Sequence, residues 1–68
     1  MQHLNEMAMQ ALRTQVKAFE TARAHNLSWA ERADDPEIAR AHIEIADWLV
    51  QTISQCNRLH DKYHNLPN

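Results

Sequence analysis

No glycine occurs anywhere in the 68 residues. That absence excludes Gly-rich phosphate loops, dinucleotide-binding turns, the strained nucleophile elbow and the tight hairpin turns that need positive φ. Most familiar enzyme scaffolds go with them, so the chain is read as non-enzymatic, with no cofactor and no small-molecule substrate. Cysteine is nearly absent too: Cys56 stands alone. An intrachain disulfide is therefore impossible, and a metal site would have to recruit histidine or carboxylate ligands. Long apolar runs are missing. The longest strongly apolar stretch, Trp48-Leu49-Val50, falls far short of the roughly 20 residues needed to cross a bilayer. The opening residues Met1 to Glu6 lack the basic and apolar regions of a signal peptide, so the expected location is cytoplasmic. Charge of one sign is lacking as well. Seven basic residues against nine acidic ones give a formal net charge of −2, and Arg13, Lys17, Arg58 and Lys62 are scattered instead of forming the stripe that duplex binding draws on. Nucleic acid is not an expected partner.

What the sequence does have is helical periodicity. Met9, Leu12, Val16 and Phe19 recur at spacings of three and four, flanked by Ala8, Ala11, Ala18 and Ala22. A first helix is expected over about 5–33, capped by Asn5 with Glu6 against its positive end. Ser28-Trp29-Ala30-Glu31 matches a capping box and marks the alternative, a break near His25 to Leu27; the unbroken helix is the preferred reading. Asp35-Pro36-Glu37 places a good N-cap, a proline whose missing N–H costs nothing, and a carboxylate in the first turn, so a second helix should run over about 36–64. Its expected inward stripe is Ile38, His42, Ile45, Leu49, Ile53, Cys56, His60 and Tyr63. Ala41, Trp48 and Leu59 widen that stripe on one side and Ala39, Ile43, Ala46 and Val50 on the other.

Two arms of equal length joined at residues 34–35 imply one domain over 1–68, an all-α antiparallel two-helix hairpin. That register sets Phe19 beside Leu49, Val50 and Ile53, Leu12 beside Cys56, and Met9 beside His60. The apolar sector of the second helix is too wide for one neighbour, and a homodimeric four-helix bundle is expected. Its core and dimer seam would draw on Leu12, Val16, Phe19, Ile38, Ile45, Leu49, Ile53, Cys56 and Leu59.

Polar or amphipathic residues on these stripes are the candidate functional groups. Arg23 and His42 interrupt apolar positions about one turn apart, while Trp29 and Trp48 sit at the stripe edges. All four are taken as candidate contacts to a protein partner, because interfaces are enriched in Trp and Arg. Cys56, His60 and His64 follow one another at intervals of four, with His3 near them at the open end. His60 and His64 are weak candidates for a zinc or copper site, and the plainer reading places His64 as a cation at a helix C-terminus. Cys56 with His60 has no third orienting residue for nucleophilic catalysis, and a small buried hydrophobe is the expected role of the thiol.

The Asp35-Pro36 turn between two apolar stripes resembles the small helical-hairpin dimers of phages and plasmids, such as Rop-type copy-number regulators and phage proteins that bind and disable host regulatory or defence proteins. The resemblance implies a small regulator or inhibitor whose partners are a second copy of itself and a larger target protein. A Rop-like RNA- or DNA-binding regulator and a His-rich metal-responsive module are the alternatives.

Overall fold

The computed structural model describes the backbone of residues 2–65 and the side chains of 5–65. Two helices make up the fold: α1 spans Gln2–Arg32 and α2 spans Pro36–His64. They lie against each other as an antiparallel hairpin about 53 Å long and 14 by 10 Å across.

The turn follows from its chemistry. Asp35 holds an extended backbone (φ −91°, ψ 120°) and its carboxylate accepts from the Glu37 N–H at 2.9 Å. Its carbonyl accepts from Ala39 N–H at 3.0 Å, so α2 starts with its first donors engaged. Pro36 supplies a preset φ, and Glu37 lies in the positively polarised first turn. At the other end Lys62 and His64 occupy the last turn, where the dipole favours cations.

α1 corrects one sequence expectation and meets another. It begins at Gln2 instead of being capped at Asn5, because no proline, glycine or competing cap precedes Asn5 to stop the helix growing backwards. It runs unbroken through 25–28, as the preferred reading has it. Ser28 caps nothing; its hydroxyl accepts from the Arg32 guanidinium one turn later at 2.6 Å.

The inward line of α2 is Ala39, His42, Ala46, Leu49, Ile53, Cys56, His60 and Tyr63, all buried or half-buried. Over its first half this differs from the expected Ile38 and Ile45. The observed positions alternate three and four without a break, which keeps one seam facing a partner along the whole helix. The line through Ile38 and Ile45 breaks that alternation at Leu49 and Ile53. Alanines at 39 and 46 also let the two backbones approach closely. Ala46 and Leu49 are 2% and 4% exposed and are the only fully buried apolar residues among those described. The core of a single hairpin is therefore a narrow ribbon, with Leu12, Val16, Phe19, Ile53 and Cys56 half-buried along it.

Candidate protein-interaction face

In heptad terms, the core lines of both helices occupy positions a and d. Ala8, Ala11, Ala18, Ala22 and Trp29 then fall at c and g of α1, and Ile38, Ala41, Ile45, Trp48 and Leu59 at c and g of α2. In an antiparallel pair these two flanks share one side of the hairpin, since the handedness of both helices carries g and c the same way round the contact. The opposite side carries e and b, which are largely polar: Arg13, Lys17 and Glu20 from α1 and Asp47, Ser54 and Asn57 from α2, broken by Ile43 and Val50. Among the described residues, six of the eight exposed large apolar side chains belong to α2, at 42% to 59% exposure, and Trp48 is the most open.

Thr52 donates its hydroxyl to the Trp48 carbonyl at 3.0 Å and so presents its methyl group. Asn26, 8% exposed, sits in the core line of α1. Its amide Nδ2 donates to the Ala22 carbonyl at 2.8 Å, which leaves Oδ1 as the acceptor facing α2. His42 Nδ1 lies 2.9 Å from that oxygen and must be the donor, so the histidine carries its proton on Nδ1. The bond locks the register of the hairpin, because no neighbouring position offers the same pair. Trp29 covers it from outside: its ring lies 5.5 Å from His42 and 5.7 Å from His25, tilted against both.

Arg23 departs from expectation. It is exposed instead of pointing inward. Its long side chain leaves the core position and lines a shallow groove with Glu20, Val50, Ile53 and Ser54. The inward polar partner of His42 is therefore Asn26, one turn beyond Arg23. Asn26 shares the inward line of α1 with Arg23, three residues before it. The signal was one inward amide and one inward imidazole at the same level of the hairpin.

A second groove, of about 540 Å³, opens on the polar side between Leu12, Arg13, Val16, Lys17, Asn57 and His60. Arg13 Nη1 donates to His60 Nε2 at 3.2 Å. Arginine only donates, so Nε2 is the acceptor in this contact, while Nδ1 of the same ring lies 3.9 Å from Asp61 Oδ1. The His60 and His64 rings stack at 6.4 Å. Among the described residues, no three His, Cys, Asp or Glu side chains converge on a common ion, and the His3 side chain lies outside the described residues. Cys56 is half-buried in the core line between the helices. No described helix is long and apolar enough to cross a membrane.

Of the residues expected to pack, Leu49 is buried, while Ile38, Ile45 and Leu59 stand exposed on the c/g flank together with Trp48. These four residues and Trp29 lie on one side of the hairpin, with Thr52 and Gln55 between Trp48 and Leu59. Compared with known proteins, the chain matches no family model, no curated sequence and no solved structure.

Proposed function

We propose that this chain is a non-enzymatic protein-interaction module whose c/g flank pairs with a second copy to make a four-helix bundle. It acts as a small regulator by exchanging that copy for a helical segment of a larger target, which it sequesters. The observation that carries the reading is the exposure of Ile38, Ile45, Trp48 and Leu59 on one flank of α2, against Ile43 and Val50 on the other, set against a core in which Ala46 and Leu49 are the only buried apolar residues among those described. The extent of exposed surface supports it. The chain shows 5367 Å² to solvent, whereas a compact folded monomer of its mass is expected to show about 4,400 Å². The excess, about 950 Å², is close to the roughly 800 Å² per partner that a standard protein interface buries.

The test is light scattering on wild type and on an Ile45→Glu/Trp48→Glu double variant. Affinity capture from the source cells is then run on both proteins. The reading predicts a wild-type dimer, a monomeric variant that stays helical, and a captured target lost in the variant. A wild-type monomer, or capture indifferent to the two substitutions, would overturn it.

A further inference from the structure

The c/g face holds a size pattern that selects one way of joining two copies. On α1 the face is small through its middle, at Ala8, Ala11, Ala18 and Ala22, and becomes large at Trp29. On α2 it is large at Ile38, Ile45, Trp48 and Leu59 and small at Ala41. The Asn26–His42 pair fixes the level of each position along the hairpin. Counting outward from it, Ala22 and Ala18 lie level with the stretch around Trp48, Ala11 and Ala8 with Leu59, and Trp29 between Ile38 and Ala41. Large therefore sits level with small from Ala8 to Ala22, and only at the turn end does a large residue, Trp29, come level with another, Ile38.

Two hairpins meeting face to face by two-fold symmetry have two choices. With the axis parallel to the helices, α1 of each copy lies on α2 of the other and levels are preserved, so Trp48 and Leu59 meet alanines and only Ile38, at the turn end, meets Trp29. With the axis perpendicular to the helices and lying between the layers, α1 lies on α1 and α2 on α2. Alanine would then face alanine on one side of the bundle and Trp48, Ile45 and Leu59 would crowd together on the other. Interaxial distance follows side-chain size, over about 8–10 Å, so the second arrangement needs two unequal spacings within one rigid pair of layers. The first needs only one.

The polar residues of the face agree. Gln15 and Gln55 are the two amides on this flank, and in the first arrangement Gln15 of each copy comes within about half a turn of the level of Gln55 of the other. A side-chain amide pair can satisfy both. In the second, Gln15 comes level with alanines of the partner's α1.

We infer that the occupant of the c/g face is a second copy seated with α1 against α2, both turns at the same end of the bundle, and the Trp48 indole over the Ala18–Ala22 step of its partner. This rests on the dimer proposed above and specifies its geometry. Binding a target then means replacing a partner whose α1 offers an alanine groove, so the displacing segment must be a helix with small residues at three-four spacing.

The experiment is pulsed dipolar electron paramagnetic resonance on the full chain, spin-labelled at Asp34→Cys in a Cys56→Ala background. Cys56→Ser serves as a second background, and circular dichroism checks the helix content of both. Asp34 is exposed in the turn. Same-end turns predict a label separation of about 20–30 Å, set by adjacent helix spacings plus the label arms. Opposite-end turns would lie about 45 Å or more apart, the length of a 29-residue helix. The short distance supports the inference, and the long one overturns it while leaving the dimer intact. Absence of any intermolecular coupling overturns both, which separates the two failures. A further variant, Ala22→Phe, fills the groove that receives Trp48. The inference expects the dimer dissociation constant to rise at least tenfold while helix content holds, and an unchanged constant would contradict it.

Discussion

At the residue scale, the pairing of Asn26 with His42 is the feature most specific to this sequence. Removing one partner strands the other: Asn26→Leu leaves the His42 Nδ1–H facing the core line without its acceptor, a loss of about 1–3 kcal/mol. Replacing both, as Asn26→Leu/His42→Leu, deletes donor and acceptor together and should cost much less than the sum of the single changes. Urea denaturation of the four proteins of this cycle checks it, and additive single effects would show that the bond carries no coupling. Nitrogen shifts of the His42 imidazole should report the Nδ1-protonated tautomer. His60 behaves differently. Its Nε2 accepts from Arg13, while Asp61 and His64 of its own helix are the other titratable neighbours. Arg13→Ala and His60→Ala should therefore show coupled effects on stability in a double-mutant cycle. Strictly additive effects would show that the contact is not the hydrogen bond described.

At the element scale, the start of α2 was fully legible because its signals are local: Asp35, Pro36 and Glu37 each act within one turn. The Asp35 cap should therefore respond to simple substitution. Asp35→Ala removes the acceptor of the Glu37 N–H and is expected to cost about 1 kcal/mol, with Asp35→Ser restoring most of it. In thermal unfolding that is a fall of roughly 4–8 °C for a domain of this size, and an unchanged midpoint would mean the cap is dispensable. The start of α1 was misplaced for the converse reason. Asn5 is a fair cap in isolation, but a cap is used only where the helix cannot extend past it, and nothing in Gln2 to Leu4 prevents extension. The inward line of α2 was ambiguous because Ile38, Ala39, Ile45 and Ala46 are all apolar. Hydrophobicity alone favours the isoleucines. Continuity of the seam through Leu49, Ile53 and Cys56, together with the close approach that Asn26 needs to reach His42, favours the alanines. Those are properties of the helix pair and no single-helix pattern contains them.

At the scale of the whole molecule, the antiparallel register was readable from the matched arm lengths and the turn, and the excess of apolar circumference on α2 was readable from its composition. The side on which that excess lies was hidden until the core seam was known to within one residue. Once Ala39 and Ala46 face inward, Ile38, Ile45, Trp48 and Leu59 all fall on the side that carries the alanines of α1. Truncating Trp48 to alanine should scarcely affect a lone hairpin, in which it is 59% exposed, yet cost the assembly about 2 kcal/mol or more, the scale of an interface hot spot. Sedimentation equilibrium across a concentration series tests the central claim most directly. Wild type should weigh twice its 7.9 kDa chain mass and fall toward that mass only on dilution or with Trp48→Ala. A wild-type chain that remains folded at 7.9 kDa at every concentration would contradict the account.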